Sequence, residues 1–570
     1  MARTLFSEIR TDTARSRCGL TLDTVLASGI ETGGMQSIMT DGEMPLSYHD
    51  LGRRIRQLGH ALTAHGLTRQ SRVAILERDT HRYLEAYFAV PMLGAILMTV
   101  NIRLSVDQMR YTLDHSQTEI IITAAEFLPV LEQIYAQRKD IPPIIVIGHH
   151  AFASSSGLPL PVICDYEAML TAATDDFYFP TVDENTVATH FYTTGTTGLP
   201  KGVTYTHRQL VTHTLATGFA LGTADDYQAF RRNDVYMPLT PMFHVHAWGL
   251  PYVATLLGVK HIYPGKYDAA GIVKLVQSEG VTFSHCVPTI LQLLLVEIER
   301  NALDLTGWKI MVGGAAMSPA LAKRAMAAGL QVFTGYGMSE TCPVISFART
   351  SKNEALSQPE KLCRVGHAMP LTELRIHGSN DPGKDHRGEL VARAVWLTDA
   401  YFRDTQMSAT LWQDGFLHTG DVAVHDDDGA FRIVDRTKDM IKTGGEWLSS
   451  LDLEARIAEH PDVEEVAVIA RRDEKWGERP CAFVKLRPST PEQPASGDAP
   501  SKAAEIREIL QQRIHEGRLP PYAIPDEFHF VDMLPRTSVG KLDKKNLRAM
   551  LEQGTEKSPT DPAPQGGQHG

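Results

Sequence analysis

The chain has 570 residues, more than one compact domain holds, and length alone favours three to four domain-sized units. Hydrophobic residues at 43% and charged residues at 22% exclude a fibrous chain and wholesale disorder. Lys and Arg number 56 against 68 Asp and Glu, a formal net charge of −12, so bulk charge does not mark a protein that coats nucleic acid or an acidic membrane. The N-terminal MARTLFSEIRTDTARSRCG carries Glu8 and Asp12 and has no apolar core, unlike a secretory or transit peptide. Strand-like SRVAILE (71–77), EIIIT (119–123), PPIIVIG (142–148), VKHIYP (259–264) and GVTFSHCVP (280–288) alternate with helical VDQMRYTLDHS (106–116) and PTILQLLLVEIERN (288–301). That alternation predicts an α/β fold with doubly wound parallel sheets. The apolar stretch 87–102 is broken by Pro91 and is too short to span a bilayer. Over 361–435, short strand-like segments punctuated by Gly and Asp predict a small antiparallel β subdomain. From about 437 to 551 a separate α/β unit follows, interrupted by the Pro/Ser/Gly/Ala-rich loop 489–501, and 556–570 is poor in core residues. No fixed-period repeat is apparent. The cysteines at 18, 164, 286, 342, 363 and 481 form no CxxC, which removes zinc-ribbon and thioredoxin readings and leads us to expect reduced thiols in a cytoplasmic protein.

The densest chemical signal is His190-Phe-Tyr-Thr-Thr-Gly-Thr-Thr-Gly-Leu-Pro-Lys-Gly-Val203. Thr193, Thr194, Gly195, Thr196, Thr197 and Gly198 offer backbone N–H groups and hydroxyls that converge on phosphate oxygens, and Lys201 adds a point charge. A P-loop requires GxxxxGK[ST]. Here Pro200 stands five residues after Gly195 and Gly202 follows the lysine, so the pattern fails at both ends. We read the segment as an anion-binding loop in preference to a Thr/Gly-rich hairpin turn.

TTGTTGLPKG resembles the signature loop of the acyl-adenylate-forming superfamily, which includes acyl-CoA synthetases, luciferase and peptide-synthetase adenylation domains. Six further motifs of that family follow in order: PMFHVHAWG (241–249), GGAAMSP (313–319), GYGMSETCPV (335–344), GFLHTGDVA (415–423), DRTKDMIKTGGEW (435–447) and PRTSVGKLDK (535–544). The wording is most similar to bacterial medium-chain fatty-acid and 3-methylmercaptopropionate CoA ligases. The resemblance implies an N-terminal catalytic, AMP-binding domain over 1–435, a mobile C-terminal lid over 436–551 and a tail over 552–570. It also implies a reaction in which a carboxylate and ATP give acyl-AMP and pyrophosphate, after which CoA thiol gives the thioester and AMP. Both steps gather negative charge, so the site needs donors and cations and no protein nucleophile.

By the same resemblance Tyr336 packs on adenine beside Gly337, the Ser339 hydroxyl meets the α-phosphate, and Glu340 holds Mg²⁺ with the Thr193 hydroxyl, a sparse protein ligand set of the kind Mg²⁺ prefers. Gly313, Gly314, Ala315 and Ala316 are small where a backbone approaches purine and acyl chain. Asp421 accepts from the ribose hydroxyls and Arg436 reinforces it. His244 and Trp248 line the acyl site. His244 and His246 form an HxH that strand alternation would place on one face, but no nearby carboxylate or cysteine completes a metal set. Lys541 is implied as the adenylation lysine, with the adjoining Lys544 and Lys545 as surface lysines. Lys438 is the hinge, and Lys442 with Gly444, Gly445, Glu446 and Trp447 forms the face that replaces Lys541 for thioester formation and borders CoA.

The expected function is therefore an AMP-forming carboxylic acid CoA ligase using ATP, Mg²⁺ and CoA. Its expected substrates are short-to-medium-chain aliphatic acids. An aryl-acid or methylthio-alkanoate ligase is the alternative within enzymes. Two other classes are an adenylation module that loads a carrier protein, for which no appended carrier serine motif is present, and a catalytically silent sensor. We expect no nucleic-acid partner and no transmembrane segment, with a homodimer as the candidate assembly.

Overall fold

A computed structural model describes residues 19–148, 160–193, 199–377, 387–487, 499–537 and 541–555. Thr194–Gly198, most of the loop at 489–501 and the tail from 556 fall outside them. The chain divides into two compact units, Met1–Thr419 with Ala423–Ile433, and Gly420–Val422 with Val434–Gly570.

Two large sheets build the first unit. The seven-stranded one runs Val162–Asp165, Ile144–Ile147, Ile120–Ala124, Arg72–Leu76, Ile96–Thr99, Val187–Thr193, Lys201–Thr206, and only the last pair is antiparallel. Strands such as Ile96–Thr99 and Ile120–Ala124 are buried at every position, as parallel strands covered on both faces must be. The nine-stranded sheet runs His367–Ala368, Val344–Phe347, Gln331–Gly337, Lys309–Val312, Phe283–Cys286, Val235–Pro238, Lys260–Tyr263, Ser37–Thr40, Leu46–Ser47. From Gln331–Gly337 to Ser37–Thr40 its pairs are all parallel. The helices read from periodicity are present as Val106–Ser116 and Pro288–Arg300. A five-stranded sheet made from Thr372–Ile376, Arg387–Ala394, Trp412–Gln413, Phe416–His425 and Phe431–Arg436 follows, antiparallel where Thr372–Ile376 meets Arg387–Ala394.

In the second unit the long antiparallel pair Val463–Asp473 and Gly477–Leu486 carries the hairpin Ile441–Thr443/Glu446–Leu448 on one side. The strand Glu527–Phe530 runs parallel to Gly477–Leu486. Ile441, Leu453, Ile457, Val468, Val484, Ile506 and Leu510 form one core and Ile469, Cys481, Leu534 and Leu547 another. Among the described residues, no helix is long and apolar enough to cross a membrane, and the cysteines at 164, 286, 342, 363 and 481 are free.

Candidate active site

Thr193 closes the strand Val187–Thr193 and pairs in register with Lys201, the first residue of Lys201–Thr206. The Thr/Gly-rich segment therefore joins two antiparallel strands. Its two flanking strands form a hairpin, the connection weighed against the anion-binding reading in the sequence, and the two are compatible because such a connection can also hold an anion. Five of the predicted loop residues, Thr194, Gly195, Thr196, Thr197 and Gly198, lie outside the described residues. Gly202 is required by crowding: an added Cβ would sit 2.6 Å from His190 Nε2 and 3.0 Å from Phe402 Cβ.

The second strand of this hairpin is held from its other side by residues 398–402. Phe402 N–H donates to the Gly202 carbonyl at 2.8 Å, and the Thr398 hydroxyl donates to the Thr204 carbonyl at 3.3 Å. These contacts place the Tyr401 ring 4.7 Å under the Lys201 ammonium, a cation–π pair. The Tyr401 hydroxyl donates to Glu340 Oε1 at 2.6 Å. Burial, with the nearby Glu340 carboxylate, pushes this phenol far above its usual range, so it is a permanent donor. Glu340 is buried, and its backbone carbonyl accepts from Thr398 N–H at 3.1 Å. Tyr205 OH donates to the Ser339 carbonyl at 2.7 Å, which fixes the short helical turn Ser339–Thr341 to the hairpin. Thr193, Lys201, Ser339 and Glu340 are thus brought into one framework. Tyr401, its central member, was missed from the sequence, where it stands in an AYFRD segment with no motif spacing of its own.

Glu340 follows the strand Gln331–Gly337, whose register against Val344–Phe347 shifts between Tyr336 and Gly337. At Gly337 an added Cβ would lie 1.8 Å from the Pro343 carbonyl oxygen, so any larger residue would unseat the turn. Tyr336 is half-buried at the end of this strand. Gly313 and Gly314 follow the strand Lys309–Val312, with Ala315 and Ala316 exposed before the helix Pro319–Ala327.

The residues expected at the acyl end, His244 and Trp248, flank an unusual backbone. Val245, His246, Ala247 and Trp248 have φ of 47°, 54°, 47° and 60°, and Gly249 follows at 74°. This is a left-handed turn, and the strand alternation expected for the HxH is wrong. In a left-handed helix Cβ crowds the following carbonyl at about 1–2 kcal/mol per residue, so tertiary contacts must hold it. His246 is fully buried, with Tyr87, Phe191 and Tyr252 rings at 5.5, 5.4 and 6.0 Å between centroids, whereas His244 is only half-buried. Burial drops His246 to about 3, so it is neutral. Trp248 packs at 5.1 Å on His285 and against Gly313, where an added Cβ would meet the indole at 3.0 Å and the Gly335 carbonyl at 2.6 Å.

In the second unit Arg436 Nε lies 3.1 Å from Asp421 Oδ1, and Thr437 N–H donates to the Gly420 carbonyl at 2.9 Å. Asp435, buried, accepts from Ser450 N–H and hydroxyl at 2.5 and 2.7 Å. The Lys438 carbonyl accepts from Arg548 at 3.4 Å. Lys442 and Trp447 are cross-strand partners, with the ammonium 5.4 Å from the indole centroid. Gly444 and Gly445, at φ 60° and 91°, make the turn between them, and Glu446 is exposed beside it. Lys541 is tied to Thr537: Thr537 N–H donates to the Lys541 carbonyl at 2.8 Å and Lys541 N–H to Thr537 Oγ1 at 3.2 Å. Lys545 is exposed as expected, but Lys544 is not a surface lysine: it is buried, 2.7 Å from Glu454 and 2.6 Å from Ser450 Oγ. Burial alone would lower its ammonium; the Glu454 and Asp435 carboxylates overturn that and hold it above the usual lysine range.

Residues 32–402 match the AMP-binding enzyme family and residues 452–541 the AMP-binding enzyme C-terminal domain. A long-chain-fatty-acid–CoA ligase from Thermus thermophilus is 39% identical over 515 residues, 88% of this chain and 89% of the relative. A medium-chain-fatty-acid–CoA ligase from Ectopseudomonas oleovorans is 34% identical, covering 90% and 92%. The crystal structure of the anthranilate CoA ligase AuaEII with anthranoyl-AMP shares the fold, with a TM-score of 0.81 over 94% of this chain and 98% of that one at 20% identity. The chain belongs to the AMP-binding enzyme family and, within it, to the AMP-forming acyl-CoA ligases. Enzymes of this class use ATP, Mg²⁺ and CoA.

Proposed function

We infer that the protein joins short-to-medium-chain aliphatic carboxylic acids to CoA through an acyl-adenylate. The observation that carries this reading is the joint support of Lys201 and Glu340 by Tyr401 beside the Thr193–Lys201 hairpin: a cation and a buried carboxylate held in place by one side chain. In the first half-reaction a carboxylate oxygen bonds to the α-phosphorus of ATP, and the bond from that phosphorus to the departing pyrophosphate breaks. In the second, the CoA sulfur bonds to the acyl carbon, the carbon–oxygen bond to AMP breaks and the thiol proton is lost.

Thr193 to Gly198 and Lys201 hold phosphate oxygens in this reading. Tyr336, with Gly337 and the small Gly314-Ala315-Ala316, receives adenine, and Ser339 meets the α-phosphate. The Arg436 ion pair supports Asp421 as the ribose acceptor. The buried Glu340 carboxylate, already oriented by one phenol donor, fits a magnesium site and with Thr193 would hold the ion, which when bound offsets phosphate charge. His244, Trp248 and Gly313 form the acyl end; the indole against a bare backbone presents an apolar wall that favours an aliphatic chain. Lys541 neutralises charge growing between carboxylate and α-phosphate. Lys442, Gly444, Gly445, Glu446 and Trp447 serve the thioester step, with residues 436–551 as a lid turning at Lys438.

Two measurements test the reading. Turnover across straight-chain acids of increasing length, with aryl and thioether acids included, should peak within the short-to-medium aliphatic range; a peak on aryl or thioether acids overturns the substrate assignment. Lys541→Ala should lose acid-dependent ATP–pyrophosphate exchange by about 10²-fold to 10³-fold while still converting supplied acyl-AMP and CoA to thioester. Equal loss of both half-reactions would sink the assignment of Lys541 to adenylation.

A further inference from the structure

The left-handed turn Val245–Trp248 carries both acyl-side residues at its ends or within it, yet its own sequence does nothing to favour that backbone. Val245 is β-branched, and only Gly249 is a residue at ease with positive φ. Something outside the turn must hold it. The segment that leads into it, Pro241–His244, is gripped by side chains from the carboxyl ends of two neighbouring parallel strands of the seven-stranded sheet. Asp79, just beyond Arg72–Leu76, accepts the Met242 N–H on Oδ1 at 2.8 Å. Thr99, the last residue of Ile96–Thr99, donates its hydroxyl to the Phe243 carbonyl at 3.0 Å. Tyr87, on the helix His81–Met92, donates its hydroxyl to the Met242 carbonyl, and the same ring packs edge-on against His246 inside the turn.

Asp79 is the member of this set with the most at stake. It is 2% exposed, and both carboxylate oxygens are committed, the second to the Tyr267 hydroxyl at 2.7 Å. Its own carbonyl accepts from Gly265 N–H at 3.0 Å, so the carboxylate is mounted on fixed backbone. A buried carboxylate is retained only where its hydrogen bonds offset the loss of water, and a charged acceptor on a backbone N–H is among the stronger of such bonds. Arg103 stands over the Phe243 and Tyr267 rings, 5.9 Å from each centroid, and supplies positive charge nearby.

We propose that Asp79 is a positioning residue for acid recognition: with Tyr87 and Thr99 it clamps Met242–Phe243 and thereby sets where His244 and Trp248 stand. It touches no substrate. The proposal rests on the acyl-side reading of His244 and Trp248 given above, and its test has one arm that does not. In acid-dependent ATP–pyrophosphate exchange by the full-length protein, Asp79→Ala should raise KM for the acid about tenfold while KM for ATP moves less than about twofold. Asp79→Asn, whose amide oxygen still accepts the Met242 N–H, should restore most of the acid KM. Tyr87→Phe, which keeps the ring on His246 and loses only the bond to Met242, carries the same test if Asp79→Ala fails to melt cooperatively. An unchanged acid KM in a cooperatively folded variant, or equal rises for acid and ATP, would overturn the proposal.

The independent arm is hydrogen exchange of the same proteins without substrate. Amides of residues 242–249 should exchange faster in Asp79→Ala and not in Asp79→Asn, with those of Phe283–Cys286 and Lys309–Val312 unchanged. If residues 242–249 keep wild-type protection, the clamp is absent, whatever the acids do. If they lose it while wild type activates no acid, the clamp stands and the functional reading falls.

Discussion

Tyr401 does two jobs that one substitution separates. Its ring faces the Lys201 ammonium and its hydroxyl binds Glu340, so Tyr401→Phe removes only the second contact and Tyr401→Leu removes both. Losing a hydrogen bond to a charged group costs about 1.5–3 kcal/mol, enough for a tenfold effect or more. Tyr401→Phe should therefore raise the Mg²⁺ concentration for half-maximal activity about tenfold with little change in KM for ATP, and Tyr401→Leu should raise both. A magnesium titration of Tyr401→Phe that overlays wild type would show that the phenol does not orient Glu340 for the ion. Tyr401 was invisible in the sequence because its partners stand 200 and 61 positions before it, and nothing local marks a tyrosine that will be folded onto a glutamate. Glu340, Lys201 and Gly337 were singled out because they stand in motifs, GYGMSET and TTGTTGLPKG, that resemble those of a known family.

Among elements, regular ones were legible and strained ones were not. The helix Val106–Ser116 was read from its sequence pattern, and the structure adds a full capping box from Ser105 and Gln108. HVHAWG begins by alternating polar and apolar side chains as a strand does, yet residues 245–248 take positive φ and the Tyr87, Phe191 and Tyr252 rings surround His246. Lys544 reads as a surface lysine because lysine usually is; only the tertiary placement of Glu454 and Ser450 makes burial tolerable. The segment Asp435–Asp439 offers a test at the same scale. Asp435 and Asp439 are buried and bonded on either side of Lys438. Lys438→Pro would fix φ near −65° between these two anchors. It should retain pyrophosphate exchange and lose thioester formation, measured as the two half-reactions on one preparation. Wild-type behaviour in the complete reaction would dismiss Lys438 as the hinge.

The whole molecule carries an acid-sensitive core. Burial lowers His81, His190, His246, His261 and His285 to about 3 and His213 to about 4. A histidine depressed on folding contributes stability that is complete above its unfolded value, near 6.5, and is lost as pH falls toward its folded one. Glu77 and Asp79 oppose this, since burial raises them to about 7 and about 6 and the folded state gains from their protonation over part of the same range. Burial raises Glu85 and Glu454 as well, but the six strongly depressed histidines, with His207 lowered beside them, outweigh these four carboxyls. The melting temperature should be highest above pH 7 and decline as pH drops from 6.5 toward 4, accompanied by net proton uptake on unfolding. A melting temperature flat or rising from pH 7 to 5 would contradict this balance. Under the proposed function the overall negative charge, −12, would be no obstacle to anionic ligands, since positive charge would be needed only locally, at Lys201, Arg436, Lys442 and Lys541.

The buried Lys544 also decides how much of the chain must be made before the second unit can settle. Asp435 opens that unit and Glu454 lies on its first helix, but the ammonium beside them is on the last helix, Lys544–Thr555. A polypeptide released by a stop codon before Lys544 would have two buried carboxylates without their cation, and would have to open or protonate them. On the ribosome the same unit stays ionically incomplete until Lys544 has been added, so a nascent chain arrested shortly before Lys544 should be cleaved readily by protease within residues 434–543.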